Sequence, residues 1–450
     1  MFLRFYKHKY NPNNMGFYEE ISKEYNENMS KKEITNLKAR LARKYHLKSL
    51  PKDSDIKLHT GKDLKSKTVR TISGVAPIAV MTKPLPCKHG RCIFCPGGPG
   101  SYFGDTPQSY TGKEPSTMRA IRNSYDPYLI VFNRLEQYIC IGQLPEKVEI
   151  IIQGGTFCSF PESYQEYVAK YCFKALNDFS KLFYKNKKFN EKKFKEFFEL
   201  PNDLKDETRS VRIREKLLSQ KGESTLSKEH KSNETSNIRC VGFTIETKPD
   251  WGKLKEGNEI LKLGCTRVEI GIQSLYDPVL KFTHRGHTLQ DTVESIQILK
   301  DLGFKINAHY MLGLPKSTKE MDLEGFKNLF IDERFRPDML KIYPCLLMKG
   351  TVLYHLYERG EYTPITTNES AEIIAEGKKY VPEYCRIMRI QRDIPTNVTS
   401  GGPDKTNLRQ YVEEKVKEKG IKCKCIRCRE SGRAETIKNP EIKVDEYKAS

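Results

Sequence analysis

The chain has 450 residues, 37% of them hydrophobic, and a formal net charge of +20. That length holds one large α/β domain with extensions. Apolar runs no longer than a strand leave no room for a transmembrane helix, and Met1–Tyr10 lacks the apolar core of a secretory signal. The positive balance calls for a polyanionic partner, nucleic acid before membrane.

Residues 1–68 read as a basic extension. Between Lys31 and Arg70 thirteen Lys or Arg stand against four acids. Lys31–Leu50 reads as a helix with Ile34, Leu37, Leu41 and Leu47 on one side. Its basic side, with Lys38, Arg40 and Arg43, suits either a solvated face or contact with nucleic-acid phosphates. Residues 69–395 alternate apolar runs with helical stretches. The expected strands are Thr71–Met81, Val148–Gln153, Cys240–Glu246, Arg267–Ile272, Lys305–Leu312, Met339–Tyr343 and Arg386–Gln391. They are rich in Val and Ile throughout, as parallel strands buried on both faces are. Segments such as Asp277–Leu302 and Ser370–Tyr380 are long enough for crossover helices. The expected fold is therefore α/β, a partial (βα) barrel with its chemistry at the carboxyl ends of the strands. Gly154 and Gly155 follow one strand there, Glu246 closes the next, Gln273 follows the third, and His309 and Gly313 mark another. Residues 185–237 interrupt the pattern. Tyr184 to about Glu199 is Lys- and Phe-rich and expected to be helical, Asn202–Asn237 is polar, and the low hydrophobicity with mixed charge implies a mobile surface insert. Residues 396–450 form a cysteine-bearing linker.

Cys87, Cys92 and Cys95 fall within nine residues and run into Pro96-Gly97-Gly98-Pro99. Three thiolates can hold three irons of a cubane and leave the fourth open. His89 could instead complete a closed zinc site, so a zinc knuckle remains the alternative. Gly97, Gly98, Gly154 and Gly155 would let backbone approach a ligand closely. A second trio, Cys423, Cys425 and Cys428, lies among Lys422, Lys424, Arg427, Arg429 and Arg433. It suits zinc with one further ligand or water, or else three reduced free thiols. The other seven cysteines carry no ligand spacing and read as small buried hydrophobes. The odd count of thirteen, with this clustering, favours metal ligands over disulfides in a cytoplasmic setting. Tyr102, Phe103, Tyr110 and Tyr125, interleaved with Arg119 and Arg122, suit stacking on unpaired bases. They would equally suit a packed loop over the barrel mouth.

A series of words in fixed order carries a family likeness. It runs Cys87-x4-Cys92-x2-Cys95, Gln108–Arg122, Tyr125–Pro127, Gly154–Phe157, Ile245–Asp250, Val268–Ser274, Arg285–His287, Pro337–Tyr343, Arg389–Pro395 and Cys423–Glu430. With these words the chain resembles the catalytic subunit of Elongator and its single-chain relatives, the radical-SAM tRNA uridine acetyltransferases. The resemblance implies a [4Fe-4S] cluster on Cys87, Cys92 and Cys95, with S-adenosylmethionine on its open iron. It implies a radical that takes hydrogen from the methyl of acetyl-CoA, and carboxymethylation of the wobble uridine at its 5-position. Glu246 and Gln273 become candidate contacts to S-adenosylmethionine, their plain alternative being caps or barrel-interior hydrogen bonds. Lys147 matches a position associated with acetyl-CoA, although by its residues alone it reads as an exposed lysine at a strand start. The second trio matches the family's zinc site. Implied partners are the tRNA anticodon stem-loop and either a second copy or Elongator-like subunits. Relatives continue into an acetyltransferase domain where this sequence reaches Tyr447–Ser450, so weak or absent modification by this chain alone is expected. A second class of function stays open: a tRNA-binding scaffold whose metals are structural only.

Overall fold

The computed structural model describes residues 12–47, 49–62, 64, 73–201, 206–431, 441–444 and 446–449. Seven strands run parallel and pair in chain order: β1 (Val75–Met81), β2 (Lys147–Gln153), β3 (Arg239–Thr247), β4 (Arg267–Gln273), β5 (Lys305–Leu312), β6 (Met339–Pro344) and β7 (Arg386–Arg389). Each βα unit places the next strand beside the last, as right-handed crossovers do. Among the described residues β1 and β7 do not pair with each other, and the curled sheet is a half-barrel with an open side. Every strand expected from the sequence is present. β1 starts at Val75, with residues 71 and 72 outside the described residues, and β7 ends at Arg389.

Alternation assigns the two faces of the sheet. On β2, Val148, Ile150 and Ile152 are fully buried, while Glu149, Ile151 and Gln153 line the barrel's inner cavity. The outer face packs under helices, among them α5 (Pro127–Cys140), α6 (Glu162–Phe183), α12 (Leu289–Asp301) and α13 (Lys319–Ile331). The crossover expected over Asp277–Leu302 consists of two helices, α11 (Asp277–Phe282) and α12. They are divided by Arg285-Gly286-His287, with Gly286 at φ +70°.

The helix expected after Tyr184 is present, and the polar stretch expected to be mobile is folded as well. After a two-residue-per-strand hairpin come α7 (Glu191–Phe197), α8 (Glu207–Lys221) and α9 (Leu226–Asn233). Phe194, Phe198, Ile213 and Leu217 join the main core. Arg209 pairs in the interior with Glu136 of α5, and Asn233 Nδ2 donates to Asn177 Oδ1 at 2.8 Å. Polar composition misled here because these polar groups find partners inside, which is what lets them be buried. Residues 202–205 lie outside the described set.

The N-terminal helices α1 (Pro12–Glu24), α2 (Lys31–Lys44) and α3 (Asp53–Thr60) share a core of Phe17, Ile21, Ile34, Leu37, Leu41 and Ile56. A Ser30–Glu33 capping box starts α2. The helix stops at Lys44 rather than Leu50, because His46 takes φ +51°. Three of its basic residues are paired within the chain: Lys38 with Asp53 at 2.7 Å, Lys44 with Glu20 at 2.6 Å, and Arg40 with Glu24. At the other end α16 (Leu408–Glu418) packs on α15 (Thr367–Gly377). The following cysteine segment is tied beside β7 by Arg386–Glu430 at 2.6 Å. No helix among the described residues is long and apolar enough to cross a membrane.

Candidate active site

The loop bearing Cys87, Cys92 and Cys95 caps the carboxyl ends of the strands, where the polar residues of the inner face converge. Long-range contacts hold each thiol. Cys87 Sγ lies 3.7 Å from Thr156 Oγ1, just beyond β2. Cys92 Sγ accepts from Arg285 Nη1 at 3.3 Å, and the same guanidinium donates through Nη2 to Gly271 O of β4 at 2.8 Å. Cys95 Sγ lies 3.1 Å from Gln108 Oε1 and accepts from Ser109 N at 3.3 Å. Burial pushes the Cys87 and Cys95 thiols up, Cys95 to about 11, a cost that a bound cation would offset. His89 Nε2 sits 3.3 Å from Cys92 Sγ. Burial, then Lys248 and Arg285, lowers its pKa to about 3.

Spacing separates the two cysteine trios. Among the described residues, two groups bring all their ligand atoms within 4.8 Å of one another: Cys423, Cys425 and Cys428, and Glu246, Glu269 and His309. Cys87, Cys92 and Cys95 are not one of these two groups. One tetrahedral zinc needs sulfurs packed around a bond of about 2.3 Å, whereas a cubane spreads its ligands over separate irons. The first trio fits a cluster and the second fits a single ion.

Glycine makes room beside the thiols. Gly154 and Gly155 take φ +131° and +109°, where a side chain is strained. A Cβ on Gly154 would stand 2.0 Å from Thr82 Oγ1, and one on Gly155 would stand 3.6 Å from Cys87 Sγ. Gly97 is pressed against the carbonyls of Pro107 and Tyr110, and Gly98 against the Gln108 amide.

Below the loop the cavity measures about 1580 Å³ and reaches down the half-barrel. Glu246 accepts from Tyr110 Oη at 3.2 Å and lies 3.9 Å from Lys341 Nζ. Lys341 is closer to Glu269, which also faces His309 Nε2 at 3.1 Å and Asn307 Nδ2 at 3.0 Å. The two carboxylates therefore diverge. Burial works to raise Glu269, but Lys341 and His309 hold it well below the usual range. Burial raises Glu246 to about 7, with Glu269 adding repulsion against the partial relief from Lys341. Gln273, at the end of β4, takes φ +63°. Among the described residues its Oε1 and the Gln153 Oε1, both from side chains of the cavity wall, are buried without a hydrogen-bond partner. Unsatisfied polar atoms around a cavity ask for a ligand. An amino-acid or ribose group beside the thiols fits that demand.

The other sequence-derived residues are dispersed. Lys147 shares the inner face with Glu149 but is exposed at the amino end of β2, the far end from the cysteines. Of the aromatic series, only Tyr102 is well exposed. Tyr110 turns inward to Glu246, and Phe103 packs with Leu346, Met348 and Ile394. Arg122 is exposed and Arg119 buried. In the second trio, Cys425 is buried and Cys428 exposed, with Lys378 Nζ 3.5 Å from Cys428 Sγ. Hydrogen bonds from Cys423 and Cys428 hold the Cys425 thiol well below its usual range. Gln108, Arg285 and the Glu269–His309–Lys341 group had no role assigned from sequence. Their neighbourhood in the motifs Gln108–Arg122, Val268–Ser274 and Arg285–His287 was the available signal.

A parallel half-barrel with a three-thiol loop over its carboxyl ends defines the radical-SAM class. Residues 87–324 match the radical SAM superfamily and residues 337–418 the Radical_SAM C-terminal domain. Nearer relatives include tRNA uridine(34) acetyltransferase of Methanocaldococcus jannaschii, 42% identical over 96% of this chain and 75% of that protein. Elongator complex protein 3 of Homo sapiens is 37% identical over 89% of this chain and 68% of its own length. The solved structure of Methanocaldococcus infernus Elp3 with an N-terminal deletion superposes with a TM-score of 0.65. It is 34% identical over 84% of this chain and 72% of that one. The chain belongs to the family of the tRNA uridine(34) acetyltransferases and Elongator complex protein 3, within the radical SAM superfamily.

Proposed function

We propose that this chain modifies the wobble uridine of tRNA by radical chemistry, forming 5-carboxymethyluridine with acetyl-CoA as the carbon source. The observation that carries the reading is the three-thiol loop beside a cavity ringed by unpartnered polar atoms, together with the names of the relatives. Cys87, Cys92 and Cys95 would hold a [4Fe-4S] cluster. Gly97, Gly98, Gly154, Gly155, Glu246 and Gln273 would cradle S-adenosylmethionine. When bound, that pair supplies a 5′-deoxyadenosyl radical. Arg285 keeps the cysteine loop in register with β4 and donates toward Cys92. Lys341 holds Glu269 as a carboxylate, so of the two acids Glu246 is the one able to take and return a proton near neutrality. A base entering this cavity would have to leave its stack first.

Cys423, Cys425 and Cys428 would bind a structural zinc. Lys147, at the amino mouth of the inner face, would contact acetyl-CoA. The tRNA anticodon stem-loop would approach the basic surface, with Arg43 a freer contact on α2 than the paired Lys38 and Arg40. Anaerobic reconstitution with iron and sulfide, metal analysis, and EPR with and without S-adenosylmethionine test the central claim. Close to four irons per chain, with a signal that shifts on adding the cofactor, supports it. Zinc in the first trio, or a signal blind to the cofactor, leaves the tRNA-binding scaffold instead.

A further inference from the structure

The cavity wall beside β1 holds a second group of cations that the proposed chemistry does not use. Arg119 on α4 (Pro115–Arg122) and Arg134 on α5 line it with Val75, Pro77 and Tyr138. Arg119 is only 8% exposed. Among the described residues its guanidinium has no ion pair or hydrogen bond, and Nε is buried without a partner. The charged and titratable groups that face it are Arg134, Arg122 and the Tyr138 phenol. The nearest acid in sequence, Glu114, is occupied, accepting from Thr111 N at 2.9 Å and Thr117 Oγ1 at 3.2 Å. Arg134 is held in place, stacked on the Tyr138 ring at 4.1 Å with Nη1 donating to Gln137 Oε1 at 3.1 Å. Burial, with repulsion from Arg134 and Arg122, lowers the Arg119 pKa to about 10. A buried cation without a counter-charge destabilises a fold, and a guanidinium fork matches the oxygens of a phosphate.

We propose that Arg119 and Arg134 form a phosphate-binding site in the cavity wall, completed when a phosphate of RNA or of coenzyme A enters the cavity. The site stands on its own geometry. Only the two sources of the phosphate rest on the function proposed above.

The test uses the whole chain and the variants R119M, R119K and R134M. Inorganic phosphate should raise the unfolding temperature of the wild type, raise that of R119K less, and leave R119M and R134M unmoved. Without phosphate, R119M should unfold at a higher temperature than the wild type, because the unpaired charge is gone. Affinity for an anticodon stem-loop RNA, or for coenzyme A, should fall about 10- to 100-fold in R119M. Loss for the RNA alone assigns the site to an RNA phosphate, and loss for coenzyme A alone to a coenzyme phosphate. If R119M does not fold, R134M carries the same comparison. Equal phosphate stabilisation of variants and wild type, or equal affinity for both ligands, overturns the proposal. None of these readings needs the cluster, so a failure here is distinct from failure of the radical chemistry.

Discussion

Replacing Glu246 with Gln should make the metal-free protein more stable, and increasingly so toward alkaline pH. The carboxyl is buried between Tyr110, Gln153 and Lys341. Lys341 stands closer to Glu269, so Glu246 is left undercompensated and its pKa rises from 4.5 to about 7. The folded state therefore holds this proton more tightly than the unfolded chain. Stabilisation by the neutral acid is complete below the unfolded pKa and fades as pH rises through the folded one. Linkage over that shift costs the wild type about 3 kcal/mol at pH 8, where the folded carboxyl is ionised, and about 1 kcal/mol at pH 5.5, where it keeps a proton that the unfolded chain has lost. Gln keeps the shape, accepts from Tyr110 through its carbonyl and carries no charge. Urea unfolding at the two pH values should show E246Q ahead of wild type by about those amounts. A gap that stays constant with pH, or reverses, would refute the assignment of the proton to Glu246.

Three further changes probe other parts of the site. Cys92→Ala should abolish the absorbance of a reconstituted cluster with the far-ultraviolet circular dichroism unchanged, since Arg285 keeps its bond to Gly271 O; retained iron would argue against this ligand set. Gly154→Ala puts a methyl 2.0 Å from Thr82 Oγ1 at φ +131°, so thermal unfolding should show a loss of roughly 2 to 5 kcal/mol together with weakened S-adenosylmethionine binding. Wild-type stability in that variant would mean the turn relaxes freely. If the trio takes up zinc as proposed, Cys425→Ser should abolish that uptake and expose the segment in which Tyr447 stacks on Tyr384 at 4.1 Å to limited proteolysis. Unchanged zinc content would exclude this trio as the ligand set.

What the residues determined unaided was local. Seven Val- and Ile-rich runs specify buried parallel strands, because β-branched side chains pack well on a pleated surface from either face. The nine-residue cysteine loop and the glycines after β2 announce a ligand site, since thiol spacing and the lack of a Cβ act over a few bonds. Tertiary structure decided which polar groups are satisfied. Residues 207–233 look like a solvated insert until Arg209 meets Glu136 and Asn233 meets Asn177. The basic side of α2 looks free until acids on α1 and α3 reach it. Arg285 and Cys92 are 193 residues apart in sequence, and Lys341 and Glu269 are 72 apart. Such partners are brought together only by the curl of the sheet. The same is true of Arg119, whose lack of a counter-charge becomes visible only when every neighbouring element is in place: burial and charge balance belong to the assembled structure, not to any stretch of the chain.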